Sequence, residues 1–135
     1  MRQPRLQLAL VLLLLGLSYG CKQRPPETKL LAGGLYTIES EPGKFGATKL
    51  LVYEDGICHV RLYREEYPNR PATLDPTKLT LGGAGDKEGF SLGHVPLREE
   101  SFRAWKPVLA GKAEVKEEEL DGYRIWKKDG GGSAF

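Results

Sequence analysis

Four residues in this chain have side chains suited to nucleophilic or metal chemistry: Cys21, Cys58, His59 and His94. Cys58 and His59 are adjacent, which suggests a thiol nucleophile beside its base. Neighbouring residues of a strand point to opposite faces of a sheet, however, so these two side chains cannot share a hydrogen bond. A small hydrolase using His94 and Cys58 is therefore the third of three function hypotheses, and we expect a protein that is not an enzyme.

Metal and cofactor sites are not expected either. His59 and His94 lie far apart in the sequence and belong to neither an H-x-x-H nor a C-x-x-C pattern, the spacings typical of metal sites. Residues 82–89 are rich in glycine but lack the Gly-Lys-Ser/Thr of a P-loop and the spacing of a dinucleotide-binding turn. The sequence predicts a flexible hairpin loop there, with no cofactor and no metal.

The role of Cys21 follows from the segment before it. Arg2 and Arg5 precede an apolar run over residues 8–17, and the segment ends in the small Gly20. This three-part pattern is typical of a secretory signal peptide, and the run is about half the ~20 residues that a membrane-spanning helix needs. We therefore predict that residues 1–20 are a signal peptide.

Residues 17–21 resemble a bacterial lipobox, in which the cysteine receives diacylglycerol before the signal peptide is removed. The resemblance implies a lipid on Cys21 and attachment to a membrane of the cell envelope. Lys22 after the cysteine favours the outer membrane in a double-membrane bacterium. The alternative is ordinary secretion or release into the periplasm, which would leave Cys21 free to form a disulfide with Cys58.

The overall charge changes when the signal peptide is set aside. The chain carries 20 basic and 18 acidic residues, a net charge of +2. Arg2 and Arg5 supply that excess, so the remaining chain is neutral. A general nucleic-acid-binding function thus loses its electrostatic basis.

The segment that follows divides into a flexible tether over residues 21–32, a single globular domain over residues 33–128, and a glycine-rich tail over residues 129–135. The tether contains Pro25-Pro26 and mixed charge without any sustained period, which is typical of a linker.

Short runs of β-branched and aromatic residues predict strands over residues 35–38, 45–53 and 57–63, with shorter ones at 78–81 and 90–92. Asp55-Gly56 predicts a tight hairpin between the second and third strands, and two prolines predict a loop over residues 64–71. Spacing of aromatic residues predicts short helices over residues 97–105 and 115–128. A hairpin turning at Asp121-Gly122 is the alternative for the second helix.

The predicted fold is therefore mainly β, of the α+β class. We expect a small SH3-like or partly open β-barrel, or a curved antiparallel sheet, with two short helices near the C-terminus.

Alternation along the third strand separates two sets of side chains. The set expected to face the core comprises Cys58, Val60 and Leu62. The set expected to face solvent or a partner comprises His59, Arg61 and Tyr63, with Arg70 from the following loop. Arg and Tyr are enriched at the energetic centres of protein interfaces, so this set is the candidate binding surface. The alternatives are a solvated strand face and a face covered by the C-terminal elements.

From Gly34 onward the chain resembles small bacterial lipoprotein and secreted domains of unknown function, and it is faintly similar to SH3-like barrels of the toxin-immunity type. The resemblance is carried by residues 34–38, 43–46, 49–51, 59–63, 70–71, 93–97 and 119–123, with Phe102, Trp105 and Trp126. The resemblance implies no reaction, cofactor or site residues and bears only on the fold. The first function hypothesis, an envelope-anchored, non-enzymatic binding lipoprotein with a protein partner, depends instead on the outward-facing set of β-strand residues and on the lack of a catalytic constellation. An immunity lipoprotein that neutralises an envelope-acting toxin is the second hypothesis.

Overall fold

The computed structural model describes residues 27–82 and 91–135 of the 135-residue chain. Its strands are β1 (Gly34–Glu41), β2 (Lys44–Glu54), β3 (Ile57–Tyr67), β4 (Leu92–Arg98) and β5 (Val108–Lys112). Its helices are α1 (Glu99–Ala104) and α2 (Asp121–Lys128), and two short 3-10 turns occupy Pro76–Lys78 and Glu117–Leu120. The strands form one antiparallel sheet in the order β4-β3-β2-β1-β5.

The β2–β3 hairpin forms the middle of the sheet. Asp55 and Gly56 have φ angles of 52° and 74°, as the two central residues of a type I′ turn require. Each strand of the hairpin is 11 residues long. The hairpin that the Asp-Gly pair predicts is confirmed.

Irregular pairing curves this sheet. The register shifts once between each of the other neighbouring strand pairs and twice between β2 and β3, and bulges of this kind bend a strand and increase its twist. The outer strands β4 and β5 do not pair with each other. The predicted class, a mainly β fold with a curved antiparallel sheet and two short C-terminal helices, is confirmed, and the sheet is open.

One face of the sheet carries the main hydrophobic core, and we call it the apolar face. Its buried members are Tyr36, Ile38, Leu50, Cys58, Val60, Val95, Leu97 and Phe102. Helix α1 covers this face because Phe102 packs edge-on against Tyr36, with ring centroids 5.7 Å apart. Burial of these side chains is the main contribution to folding.

The opposite face, which we call the polar face, carries a smaller apolar cluster of Leu35, Ala47, Leu74 and Ala110. Alongside this cluster the face buries Lys49 and His59, and Glu119 is buried against it. Charged residues are almost never buried without a partner, so these groups identify the part of the molecule where function is to be sought.

Several predicted boundaries are wrong in the region after β3. The loop expected over residues 64–71 begins only after Tyr67, because the end of β3 pairs with the start of β2. The strand expected over residues 78–81 is absent, and Pro76–Lys78 is a 3-10 turn in which the Thr77 amide donates a hydrogen bond to the Asp75 carboxylate. Most of the predicted glycine-rich loop, residues 83–89, lies outside the described residues.

The C-terminal third also differs in detail. The helix predicted over residues 97–105 is confined to Glu99–Ala104, because residues 97 and 98 continue β4. The helix predicted over residues 115–128 consists of the 3-10 turn at Glu117–Leu120 followed by α2, and the alternative hairpin at Asp121-Gly122 is wrong. Strand β5 has no counterpart in the prediction.

The N-terminal boundary of the domain lies earlier than residue 33. The Tyr36 hydroxyl donates a hydrogen bond to the Lys29 carbonyl at 2.7 Å and accepts one from the Leu31 amide at 2.8 Å. Leu30 packs against the apolar face. The last residues of the predicted tether are therefore part of the folded domain.

The predicted C-terminal tail is also attached to the domain. The Phe135 amide donates to the Pro96 carbonyl at 3.0 Å, and the Phe135 carbonyl accepts from the Arg98 amide at 2.7 Å. Trp126 of α2 donates its indole N–H to the Ser133 carbonyl at 2.8 Å. The segment after α2 thus returns to the outer edge of β4.

The predicted signal peptide, residues 1–20, and Cys21 lie outside the described residues. Within residues 27–82 and 91–135, no helix has the length and apolar character needed to cross a membrane.

Candidate functional site

The row of His59, Arg61 and Tyr63 lies on the polar face, and C-terminal segments cover much of it. His59 is fully buried, so the expectation that it faces solvent or a partner is wrong. The physical reason is that Tyr123 and Trp126 of α2 both pack edge-on against its ring, each with centroids 4.7 Å from the imidazole. The face covered by C-terminal elements, one of the alternatives, describes this end of the row.

His59 forms a hydrogen-bonded pair with His94 of β4. Nδ1 of His59 lies 2.9 Å from Nε2 of His94. The rings are within 9° of parallel, with centroids 5.2 Å apart. A separation that large, combined with the short contact between nitrogens, means that the rings meet end to end rather than face to face. One imidazole therefore donates and the other accepts, as two neutral rings can.

Burial keeps both imidazoles neutral. Loss of hydration, and next the neighbouring His94, lower the pKa of His59 to about 4. Burial likewise lowers the pKa of His94. Nε2 of His59 is buried and has no hydrogen-bond partner among the residues that the structure describes. A proton added to this pair would therefore meet little stabilisation from its surroundings.

Helix α2 lies directly on the histidine pair. A Cβ atom at Gly122 would be 2.5 Å from Cβ of His94, closer than such atoms approach, so only glycine permits this contact. Glu54 at the end of β2 then holds the helix: it accepts from the Tyr123 hydroxyl at 2.5 Å and from Nζ of Lys127 at 3.0 Å. The hydrogen bond from Tyr123, and next that from Lys127, lower the pKa of the Glu54 carboxyl.

The next part of the polar face is a buried ion cluster. Nζ of Lys49 lies 2.8 Å from Oε2 of Glu119 and 2.8 Å from the Glu114 carbonyl. Arg61 contacts the other carboxylate oxygen of Glu119 at 3.3 Å. Burial alone would raise the pKa of Glu119, but Lys49, the Lys116 amide and Arg61 together hold it below its ordinary value. The cluster is fully paired and fastens the Glu117–Leu120 turn to the sheet.

Beyond the ion cluster, the polar face opens into a groove of about 560 Å³. Its floor is formed by Lys49, Arg61 and Tyr63, and its wall carries Leu79 and Leu81. Charged side chains of Lys116 and Glu118 lie along its rim. The groove combines an aromatic and an arginine floor with apolar walls, which is the composition enriched at interface centres.

Tyr63 is the residue of the predicted set with the clearest opportunity to contact a ligand. It is partly exposed in the groove and packs against the smaller apolar cluster of the polar face. Burial raises the pKa of its hydroxyl to about 12, so this hydroxyl stays protonated. It makes no hydrogen bond within the described residues.

Arg70, the fourth predicted binding residue, lies away from the groove. Its guanidinium donates to the carbonyl and hydroxyl oxygens of Thr37 at 3.0 and 2.8 Å, and it lies over the ring of Phe45 at the start of β2. These contacts attach the loop after β3 to β1 and β2. The structure brings Arg61 and Tyr63 together in one groove and places His59 and Arg70 on either side of it.

Cys58 and His94 do not form a nucleophile–base pair. Cys58 belongs to the core of the apolar face, whereas His94 is bonded to His59 on the polar face. Burial raises the pKa of the Cys58 thiol to about 11, so the thiolate needed for attack is not formed near neutral pH. In the described part of the chain, no cluster of three metal-ligating side chains occurs.

Sequence reasoning missed the partners that organise this face. Lys49 is a charged residue inside an otherwise apolar strand, and that signal predicts a buried counter-ion. Glu119 stands third in a run of three glutamates, and nothing in the run distinguishes it. Gly122 enters the sequence analysis only as part of a possible turn, whereas in the structure it is where α2 lies against His94.

A scan against protein-family models, a search of curated proteins and a search of solved structures each find no match to this chain.

Proposed function

We propose that this protein is a lipid-anchored, non-enzymatic protein of the bacterial cell envelope that binds a segment of a partner protein in the groove above Arg61 and Tyr63. The lipid on Cys21 holds it to the membrane, with the outer membrane as the favoured location. Secretion without a lipid is the alternative location.

The observation that carries this proposal is that the N-terminal entry of the chain and the groove lie on opposite faces of the sheet. The chain enters the domain on the apolar face, where Leu30 packs and Arg103 of α1 donates to the Thr28 carbonyl at 3.2 Å. The groove opens on the polar face. A domain held from its apolar face presents the groove away from its anchor.

The chemistry of the groove favours a peptide segment over a small polar metabolite. Leu79, Leu81 and Ala113 offer apolar contacts, and Tyr63 offers a hydroxyl donor next to them. The charged groups of the floor, Lys49 and Arg61, are already paired with Glu119. A partner that buries apolar side chains and makes a few hydrogen bonds suits this surface better than an ion does.

Anchoring is tested by growing cells with radiolabelled palmitate. We expect label in the wild-type protein and in Cys58→Ala, and none in Cys21→Ala. Cys58→Ala is the matched control because it removes the other cysteine of the chain. Equal labelling of wild type and Cys21→Ala would disprove the anchor.

Binding is tested by site-specific photo-crosslinking in the cell envelope. A photoreactive residue is placed at Leu81, in the groove wall, or at Tyr53, on the apolar side of the hairpin. These positions are matched, with 39% and 43% exposure. We expect a crosslinked protein, identified by mass spectrometry, from position 81 only. Thr77 also lines the groove, and the crosslink should disappear when the larger side chain of Thr77→Arg fills it. A crosslink of equal strength from position 53, or one that survives Thr77→Arg, would contradict the proposal.

A further inference from the structure

The histidine pair on the polar face is poorly suited to accept a proton. Its single short contact joins Nδ1 of His59 to Nε2 of His94 at 2.9 Å, and this distance requires one nitrogen with hydrogen and one without. If both rings are protonated, two N–H groups face each other across the contact. The hydrogen bond is then replaced by repulsion between two cations.

Among residues 27–82 and 91–135, no other acceptor faces the pair. Within that part of the chain, Nε2 of His59 is enclosed without a hydrogen-bond partner, between the rings of Tyr123 and Trp126. The charged and titratable groups that face His59 are His94 on β4, Glu54 on β2, and Tyr123 and Lys127 on α2. Glu54 favours the protonated form, while His94 and Lys127 oppose it. The Glu54 carboxylate is already occupied by Tyr123 and Lys127.

The other charged residues of the polar face do not offset the positive charge that a proton adds to the histidine pair. Arg61 is the next residue on the same face of β3, and its charge is directed to Glu119. Lys49 is likewise paired with Glu119. A proton on the histidines therefore adds positive charge to a face whose nearest carboxylates are engaged.

Helix α2 is the element that can respond. It has eight residues and none of them is fully buried, so it is held by a few contacts rather than by a core. Those contacts are the Trp126 and Tyr123 rings on His59, the hydrogen bonds to Glu54, and the backbone bonds of Phe135 to β4. Releasing α2 admits water to the histidines, whereas hydrating them from the other side would require the apolar core to open.

We propose that the His59–His94 pair makes the docking of α2 on the sheet sensitive to acid. When the pair takes up a second proton, α2 and the segment after it leave the sheet while the rest of the domain stays folded. Release uncovers the polar face above β3 and β4. It also frees the Pro96 carbonyl and the Arg98 amide at the outer edge of β4, and an unpaired strand edge is a template for pairing with another chain.

The experiment uses the full chain and follows α2 separately from the sheet. In a Trp105→Phe background, Trp126 is the remaining tryptophan, so its fluorescence reports on α2. As the pH is lowered from about 7 to about 4, between the ordinary pKa of histidine and that of buried His59, we expect its emission to shift to the red. Amide exchange over residues 121–135, corrected for its intrinsic pH dependence, should accelerate at least about tenfold, while β2 and β3 stay protected.

Histidine substitutions test the cause. Asn places an amide near the position of Nδ1 and Gln near that of Nε2, so the double variant His59→Asn/His94→Gln keeps a hydrogen-bonding contact that does not titrate. We expect α2 to stay docked in this variant across the same range. Glu54→Gln is the control for the nearby carboxylate: α2 should be more loosely held at every pH, with the acid transition retained.

A measurement on the wild type covers the case in which the double variant does not fold. The ring-carbon resonances of His59 and His94 report their protonation, and the midpoint of that titration should coincide with the release of Trp126. The proposal is overturned if the histidines titrate while α2 remains docked, if α2 and the sheet open together, or if the transition disappears in Glu54→Gln but persists in the double histidine variant.

Discussion

The two faces of the sheet are built on different physical principles. The apolar face is closed by α1 through fully buried side chains of the hydrophobic core, such as Leu50, Val60 and Phe102. The polar face is closed by the Glu117–Leu120 turn and α2 through an imidazole pair, a buried lysine and a buried glutamate. Apolar burial is non-directional, whereas each polar contact needs a specific partner in a specific protonation state.

Because of this difference, the apolar face provides stability, whereas the polar face responds to changes in pH and in its partners. Contacts on the apolar face depend little on pH or on which neighbour fills the space. Contacts on the polar face fail when one partner is removed or titrated, because an unpaired buried group is more costly than the pair was favourable. The face that carries the groove is therefore also the face that conditions can alter.

The largest expected effect is on the apolar face. Phe102→Ala removes a fully buried ring at the centre of the core and should lower the free energy of unfolding by about 4 kcal/mol. Urea denaturation of the full chain measures this. Ile125→Ala, at the most exposed apolar position of α2, is the control and should change stability by less than about 0.5 kcal/mol. A loss below about 1 kcal/mol for Phe102→Ala would mean that the core does not close as described.

The second-largest effect is expected when the buried ion pair between Lys49 and Glu119 is broken. Glu119→Gln leaves the ammonium of Lys49, whose side chain is 4% exposed, without a counter-ion and should cost about 3 kcal/mol. Adding Lys49→Met removes that stranded charge, so the double variant should be more stable than Glu119→Gln alone. The same urea titrations give both values. A double variant less stable than the single one would refute the charge pairing as the source of the effect.

Lowering the pH should reduce the stability of the wild type by an amount similar to, or smaller than, the loss in Glu119→Gln. Unfolded His59 takes up a proton near its ordinary pKa of 6.5, whereas the folded state resists protonation until about pH 4. The unfolded state therefore binds more protons in this window, and stability falls as the pH is lowered through it. The loss should total about 3 kcal/mol. Urea midpoints measured from pH 7 downward should show this fall in the wild type and a much flatter profile in His59→Asn; matching profiles would show that other groups cause it.

The smallest effect is the most specific test of how α2 is docked. Sequence alone predicts that Gly122→Ala stabilises the helix by about 1 kcal/mol. The structure predicts the opposite sign, because the new methyl group would overlap His94. The net loss in the free energy of unfolding should be about 1 kcal/mol. Gly93→Ala, next to His94 but with open space around its Cβ position, is the control. A Gly122→Ala protein more stable than the wild type would place α2 elsewhere.

The hairpin and the alternation of β3 were predictable because they depend on local chemistry. Asp55-Gly56 accepts positive φ at both positions, and a period of two assigns Cys58 and His59 to opposite faces wherever the strand lies. Strand β5 was not predictable in the same way. Its five residues become a strand only because β1 offers them an edge to pair with.

The candidate site was predictable only in part. Its composition, Arg61 and Tyr63 side by side on one face, follows from the strand period. Which of those side chains stays accessible depends on where α2 and the Glu117–Leu120 turn return, and their anchors, Glu54 and Lys49, are far from them in sequence. Local sequence patterns do not indicate which distant segments will pair.

The sequence by itself thus determined the first three strands, the central turn, the face on which each residue of β3 lies and the polarity of that face. These properties depend on residues a few positions apart. Only the tertiary structure decided that His59 is buried rather than displayed, that its partner is His94, and that the groove lies over Arg61 and Tyr63. Those outcomes required segments about 35 to 70 residues apart to meet, and burial and pKa are properties of that meeting.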